Sequence, residues 1–405
     1  MSYEIRRIFI ENASQARSEF EKIKATKPGS IIMADKFVNY ALKVKGLDSK
    51  AANILKQEML ARGGDAATAR DALYGTSQTT DAIIIGNINS IKSLIEKLKS
   101  QPFGLKELSK DLKDFIGLQE EILKDNYLKI AKKSFNLKKE IIIMGILNTT
   151  PDSFFDGGKY TEKDAAFKRI DQIAGEGAHI IDIGGMSTRP GSKAVSIKEE
   201  TERTVPFIKY AKKHYDILIS IDTYRSEVAQ EAILQGADMV NDISAFTFDE
   251  KMASLVLDCD VSAVLMHIKG TPENMQDNPV YEDVIGEIYA FLKKQTSNAL
   301  NLKIKKEKLI IDPGLGFGKT CEHNFLIISK IDELKSMGFP VLIGASRKSF
   351  IGRGLNLQTD ERLEGSLAAA ALSVFKGANI LRVHDVKETL KAVSIAREIR
   401  ELSNV

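Results

Sequence analysis

Apolar runs recur along residues 138–405, and stretches with helical periodicity such as "EVAQEAILQGA" separate most of them. Because the runs are continuously apolar rather than alternating, they are typical of strands buried on both faces of a parallel sheet. The eight runs are "IIIMGILN" (141–148), "HIIDIGG" (179–185), "ILISIDT" (217–223), "DMVNDIS" (238–244), "SAVLMHI" (262–268), "KLIIDPG" (308–314), "VLIGAS" (341–346) and "ILRVHDV" (380–386).

Eight strand–helix units within about 250 residues predict an α/β fold, a (β/α)8 TIM barrel spanning residues 138–405. An open doubly wound sheet is the alternative. Residues 1–137 mix helical stretches with short apolar runs, and they predict a small α+β N-terminal domain whose role the sequence does not reveal. The basic segment 129–140 is interpreted as a solvated joint between the two.

A polar residue stands at or just beyond the end of nearly every predicted strand. In a TIM barrel the active site lies at the carboxyl ends of the strands, so these residues should meet at one mouth. They are Asn148, Asp222, Asn241, His267, Asp312, Ser346, Arg382 and His384.

Two kinds of chemistry are represented in that set. Carboxylates and amides facing one pocket suit a planar heterocycle with several N–H donors, although turn or capping duty is an equal alternative for any one of them. Arg382 and His384 are two apart on a strand and share a face, which predicts an anion site beside Ser346 and Lys348. Asp182 lies inside its strand and is interpreted as structural, and His267 stays open between structure and function.

The stretch "LIIDPGLGFGKT" (309–320) resembles a phosphate-binding P-loop at its end. A P-loop requires a glycine where this chain has Pro313, and the stretch follows the sixth strand, so that interpretation is disfavoured. We expect Asp312 to be a hydrogen-bond acceptor at the pocket floor and Lys319 to matter little.

Two glycine-flanked loops, 148–160 and 184–192, are candidate lids over the mouth. The first carries the adjacent aromatics Phe154 and Phe155, and the second presents Thr188 and Arg189. Asn148 and Asp156 are candidates to share a Mg²⁺ ion with substrate phosphates, since Mg²⁺ uses few protein ligands.

Composition narrows the classes of partner. A net charge of +3 disfavours nucleic acid as the main partner. The chain has no apolar run of membrane-spanning length, and its two cysteines lack metal or redox spacing, which favours a reducing cytoplasm.

The motifs "MGILNTTPDSFFDGG", "DIGGMSTRPG", "NDIS", "LMHIKG", "DPGLGFGK", "GASRKSFIG" and "RVHDV" together resemble the dihydropteroate synthase family. The resemblance implies condensation of 6-hydroxymethyl-7,8-dihydropterin diphosphate with para-aminobenzoate, Mg²⁺ as cofactor, a homodimer, and sulfonamides as substrate mimics. A pterin-dependent methyltransferase and a non-catalytic pterin-binding protein are the alternatives. The family usually has an acidic residue at Met186 and valine at Thr149, and "ANILKQEMLARGGDAA" resembles extensions of some bacterial members.

The resemblance also implies roles for individual residues. The implied pterin set is Asp222, Asn241, Asp312 and Lys348, with Met266 packed nearby. The implied pyrophosphate and Mg²⁺ site is Asn148, Arg382 and His384, assisted by Asp156. The implied second-loop contacts are Thr188 and Arg189, and the implied aminobenzoate pocket is Phe154, Phe317 and Ser346.

Overall fold

The structure is a computed structural model that describes residues 3–10, 12–74, 76–122, 127–150, 162–187 and 195–403. It divides into two compact units. The first is Met1–Glu121 together with Arg400–Val405, and the second is Ile122–Ile399.

The first unit is a three-stranded antiparallel sheet covered by helices, so its predicted α+β class is confirmed. Strand β3 shows the expected alternation, since Ala82 and Ile84 are buried while Ile83 and Ile85 are exposed. The elements are α1 (Ala13–Lys22), α2 (Lys27–Phe37), β1 (Asn39–Asp48), α3 (Ser49–Leu60), β2 (Asp65–Thr68), α4 (Arg70–Tyr74), β3 (Thr79–Asn87), α5 (Ile88–Leu98) and α6 (Leu105–Ile122).

The second unit contains the eight predicted strands in one parallel sheet. A bridge between Ile311 and Val341 joins the sixth and seventh strands and closes the sheet, so the fold is a TIM barrel rather than an open sheet. The strands are β6 (Ile142–Asn148), β7 (Ile180–Gly184), β8 (Leu218–Asp222), β9 (Met239–Asp242), β10 (Ser262–Met266), β11 (Leu309–Asp312), β12 (Leu342–Ile343) and β13 (Ile380–Val383).

Helices alternate with these strands and cover the barrel. Ile143, Ile181 and Ile219 join one large apolar core with residues of the helices, whereas the neighbouring Ile142 and Ile180 pack in a separate cluster within the barrel. The helices are α7 (Glu162–Gly175), α8 (Ile197–His214), α9 (Ser226–Leu234), α10 (Met252–Asp258), α11 (Val284–Asn301), α12 (Cys321–Ser329), α13 (Ile331–Lys335), α14 (Ser349–Leu355), α15 (Leu363–Phe375) and α16 (Val386–Ser403).

A hairpin of β4 (Tyr127–Ile130) and β5 (Lys133–Asn136) closes the amino-terminal end of the barrel. Its inward side chains join the cluster formed by the first interior residues of the barrel strands. Ser262 Oγ on β10 donates to the Lys129 carbonyl at 2.8 Å. The interpretation of 129–140 as a solvated joint is therefore wrong. The second unit begins at Ile122, before the hairpin, whereas the sequence pattern placed the start of the barrel domain at residue 138.

No helix of the described part of the chain is long and apolar enough to cross a membrane. Cys259 and Cys321 are both free thiols.

The hairpin gives a stability prediction. Leu128 is fully buried in the barrel floor, whereas its neighbour Tyr127 is 44% exposed. We expect Leu128→Ala to lower the free energy of unfolding of the barrel by about 2–5 kcal/mol because it leaves a cavity. Tyr127→Ala should change it by less than about 0.5 kcal/mol. Urea unfolding of the full chain measures both, and equal losses would show that the hairpin does not plug the barrel.

Candidate active site

Four residues stand side by side at the mouth of the barrel. Strand register pairs Asn148 with Gly184, Gly184 with Asp222, and Asp222 with Asn241. A Cβ at Gly184 would lie 3.4 Å from the Cβ of Asp222, in ordinary van der Waals contact, which shows how closely these two positions adjoin. The predicted convergence of these strand ends is therefore present in the fold.

Asp182 lies one layer below this row, because it is two residues before Gly184 and points to the same side of β7. It is fully buried, and its Oδ2 accepts from Arg382 Nε at 2.6 Å and from Asn241 Nδ2 at 3.2 Å. Asp182 therefore joins residues of the predicted heterocycle and anion sites. Sequence reasoning missed this, although a carboxylate inside an apolar strand was a signal, since a buried charge requires a partner.

Arg382 is shared between two carboxylates. Besides its bond to Asp182, its Nη2 donates to Asp222 Oδ2 at 2.6 Å. Burial acts to lower the pKa of Arg382, but Asp182 and Asp222 outweigh burial and raise that pKa above its usual range. Burial also raises the pKa of Asp222 to about 7, with Arg382 opposing the shift and Asp182 adding to it. Asp222 is thus a carboxylate whose charge depends on the cations beside it.

Asp312 and Lys348 form the second charged pair of the mouth. Burial raises the pKa of Asp312, against the opposing charge of Lys348, and Asp312 Oδ1 accepts from the Gly314 backbone N–H at 2.7 Å. Burial lowers the pKa of Lys348 to about 8, and Asp312 opposes that shift. The Lys348 amino group also donates to the Leu315 carbonyl and lies 4.8 Å from the centroid of the Phe317 ring. The predicted pterin set is therefore assembled around one space.

An apolar cluster lies beside these charges. Met266 packs with Ile243, Ile268 and Met275, and the half-buried Phe317 contacts them. The loop reaches this position because Gly314 has φ of +69°, and a Cβ at that residue would come within 2.0 Å of the His267 carbonyl. Only glycine permits so close an approach.

Lys319 is buried within the wall rather than directed at a ligand. Its Nζ lies 3.0 Å from His267 Nδ1 and donates to the Phe317 carbonyl at 3.0 Å. Burial holds the pKa of Lys319 well below its usual range. This geometry excludes a phosphate-binding P-loop lysine, yet it gives Lys319 a structural role that the sequence interpretation did not anticipate.

The His267 ring contacts Lys319 and Phe291 within the barrel wall. Burial, reinforced by Lys319, lowers its pKa to about 2, so the ring is neutral. The ring packs edge-on against Phe291 with centroids 5.0 Å apart.

His384 and Ser346 lie together on the anion side of the mouth. Ser346 Oγ accepts from the His384 backbone N–H at 3.1 Å and lies 3.2 Å from His384 Nδ1. Burial and then Arg382 lower the pKa of His384 to about 4, so it acts as a neutral hydrogen-bonding group rather than as a cation. Arg347 is engaged elsewhere, since it makes a two-point bond with Asp385 at 2.9 and 2.6 Å.

Asn148 is half-buried at the end of β6, and within the described residues no protein group hydrogen-bonds its side-chain amide. That part of the chain also holds no cluster of three or more His, Cys, Asp or Glu side chains suited to a metal. The remaining predicted site residues, Phe154, Asp156, Thr188 and Arg189, lie outside the described residues.

Comparison with known proteins identifies the family. Residues 144–384 match the family described as pterin binding enzyme. A dihydropteroate synthase of Synechocystis sp. is 45% identical over 271 residues, which cover 66% of this chain and 93% of that protein. The chain belongs to the dihydropteroate synthase family of pterin-binding enzymes.

A structural relative agrees with this assignment. The dihydropteroate synthase of Xanthomonas albilineans, solved with 4-aminobenzoic acid, aligns with a TM-score of 0.64 at 38% identity and covers 68% of this chain and 99% of that one. A relative in Halobacterium salinarum extends the similarity into the first unit. This probable bifunctional folylpolyglutamate synthase/dihydropteroate synthase is 36% identical over 392 residues, 96% of this chain and 46% of that protein.

The geometry assigns different roles to Asp312 and Lys319, although both residues belong to the same stretch of chain. We expect Asp312→Ala to weaken pterin binding by about 100-fold or more, since a charged acceptor in the pocket is lost. Lys319→Ala should leave pterin affinity within about threefold. It should instead lower the melting temperature by a few degrees, because the Phe317 carbonyl loses its donor.

Titration calorimetry with 6-methylpterin and a thermal scan measure these two effects on the same samples. Equal losses of pterin affinity in the two variants would show that Lys319 contacts the ligand.

Proposed function

We propose that this protein synthesises 7,8-dihydropteroate from 6-hydroxymethyl-7,8-dihydropterin diphosphate and para-aminobenzoate, and releases pyrophosphate. The observation that carries the proposal is the arrangement at the barrel mouth. Arg382 bonds to Asp222, which stands beside Asn241 in the row at the mouth, and His384, two residues after Arg382, lies against Ser346. Family membership supports the same reaction.

The pterin ring is placed between Asp222, Asn241 and Asp312, which accept its N–H groups, and Lys348, which donates to its carbonyl oxygen. Met266 and Phe317 supply an apolar surface for the ring faces. Because these side chains are largely buried, a ligand that satisfies them gains more than it would in water, and a ligand that leaves one unsatisfied is rejected.

The reaction breaks the bond between the pterin methylene carbon and the diphosphate oxygen, and pyrophosphate leaves with the electron pair. The amine nitrogen of para-aminobenzoate then bonds to that carbon and loses a proton to solvent or pyrophosphate. Positive charge develops on the pterin before the amine bonds, and the carboxylates of Asp222 and Asp312 stabilise it. This chemistry does not require a strong general base, which agrees with the lowered pKa of His384 and His267, since burial makes both imidazoles weak bases.

The leaving group is placed against Arg382 and His384. Arg382 contributes a permanent charge, and the neutral imidazole contributes an N–H donor. Mg²⁺ is proposed as cofactor, and Asn148 fits it because an amide oxygen is a suitable ligand and this one has no protein partner within the described residues. Bound Mg²⁺ supplies further neutralisation of the pyrophosphate charge. Asp156 is proposed to assist at this position.

The para-aminobenzoate site is proposed beside Ser346 and Phe317. Phe154, Thr188 and Arg189 of the two loops are proposed to complete it. Sulfonamides would compete at this site, since they carry an aniline group of similar size. The methyltransferase and binding-protein alternatives are disfavoured, because neither needs the anion site formed by Arg382, His384 and Ser346.

Product formation tests the activity. With Mg²⁺ and both substrates, we expect the protein to release pyrophosphate and form dihydropteroate in equal amounts. A coupled phosphate assay measures the pyrophosphate, and chromatography measures the dihydropteroate. Asp222→Asn should lower kcat by about 100-fold or more because the developing charge loses its counter-charge. Tyr127→Ala, at the opposite end of the barrel, is the control. Pterin binding without any dihydropteroate would favour the non-catalytic alternative.

We also propose that two copies of the chain form a homodimer through α12 and α15. These neighbouring helices expose four large apolar side chains, Phe325, Leu326, Leu372 and Phe375, each between 43% and 58% exposed. Such a patch is typical of an interface between subunits. We expect a dimer by sedimentation velocity and a monomer for Leu372→Glu. Leu234→Glu, at an exposed site on α9, is the control and should stay dimeric.

A further inference from the structure

Arg382 donates a hydrogen bond to an oxygen atom of Asp222 that the proposed pterin site uses as an acceptor. Arg382 Nη2 bonds to Asp222 Oδ2 at 2.6 Å, and Asp222 is one of the proposed acceptors of the pterin N–H groups. Burial raises the pKa of Asp222 to about 7, and the charge of Arg382 opposes that shift. Removing the guanidinium without a replacement would therefore leave a poorly solvated carboxylate.

The two carboxylates that hold Arg382 are not equivalent. Asp182 has no exposed side-chain surface, and it holds Nε of Arg382 at 2.6 Å. The side chain of Asp222 is 17% exposed and stands in the outer row at the mouth, where a ligand reaches it. Asp182 accordingly keeps its bond to Nε, and the bond of Nη2 to Asp222 is the one that a ligand is able to replace.

We propose that Arg382 is an internal competitor for the pterin site, and that the diphosphate of the substrate releases Asp222 by drawing the Nη2 end of Arg382 onto itself while Asp182 holds Nε as a pivot. The inference rests on the proposed function and adds a specificity rule to it. A pterin that carries a diphosphate brings the anion that frees its own acceptor, whereas a pterin without one must displace Arg382 unaided. Asp182 is a positioning residue in this scheme.

The proposal predicts positive coupling between two separate ligands. Pyrophosphate bound to Arg382 frees Asp222, so it should tighten the binding of a pterin that has no leaving group. By linkage, that pterin should tighten pyrophosphate binding by the same factor. A suitable probe is 6-methylpterin. It has the pterin ring and the carbon attached to it, but that carbon carries no oxygen that would collide with pyrophosphate.

Titration calorimetry on the full chain in Mg²⁺ buffer measures the coupling. We expect saturating pyrophosphate to lower the Kd of 6-methylpterin by roughly tenfold. Unchanged or weaker binding in its presence overturns the proposal. This arm uses the unmodified protein, so it does not depend on whether a variant folds.

Variants locate the coupling in Arg382. Because Arg382→Met leaves Asp182 buried without a cation, the double variant Asp182→Asn/Arg382→Met, which removes both charges, is tested beside it. In either folded variant we expect 6-methylpterin to bind at least as tightly as to the unmodified protein without pyrophosphate, and the effect of pyrophosphate to disappear. Tenfold weaker binding, or coupling that persists undiminished, contradicts the exchange.

Lys308→Met is the matched control. It removes a cation from an ion pair with Asp260 at 2.7 Å, at the start of β11 and far from the mouth, so coupling should be retained. The outcome is distinguishable from failure of the proposed function. Dihydropteroate formation without coupling overturns only the exchange, whereas absence of both product and pterin binding overturns the function itself.

Discussion

The parallel direction of the eight barrel strands is the constraint on which the site depends. Closure through Ile311 and Val341 forces every carboxyl end to the same rim, however far apart the strands lie in the chain. Arg382 and Asp182 are 200 positions apart in the sequence, yet they share a hydrogen bond of 2.6 Å. The hairpin of β4 and β5 fills the opposite end, so the functional groups are confined to one opening.

That opening carries two sets of a cation with carboxylates, and the pKa of the cation is shifted in opposite directions in the two sets. Arg382 is held by two carboxylates and stays charged, whereas burial lowers the pKa of Lys348 to about 8. Their partners respond in the same environment, since burial raises the pKa of both Asp222 and Asp312. A site built this way favours a ligand with N–H donors for the carboxylates and a separate anion for the guanidinium. A pterin diphosphate has both.

The first unit is a compact domain that has an apolar core separate from that of the barrel. The similarity to the Halobacterium salinarum protein covers 96% of this chain, so it includes most of that unit. The region is therefore shared with at least one relative that carries the synthase name. Its helices and its three-stranded sheet have their own apolar core, which includes Leu55, Ile84 and Leu94.

Strand positions, fold class and the positions of most rim residues were predictable because they depend on local patterns. Apolar runs mark buried strands, and a polar residue after each run marks the rim, so Asp222, Asn241, Asp312, Arg382 and His384 could be placed before any coordinates. Asp182 could not, because a carboxylate inside a strand is equally compatible with a structural role until its partner is known. The hairpin was missed because the five lysines of segment 129–140 indicate a solvated stretch, while the burial of the alternate residues of the hairpin depends on the barrel beside it.

The periodicity that specifies a barrel and the residue types at its rim are properties of the amino-acid order alone, since both follow from burial and from the direction of side chains along a strand. The sharing of charges between residues is instead a property of the folded chain. In the folded chain Arg382 donates hydrogen bonds to both Asp182 and Asp222. Lys319 is buried against His267 and the Phe317 carbonyl. Partnership between charges depends on distances of a few ångströms across strands that the sequence separates, and only folding sets those distances.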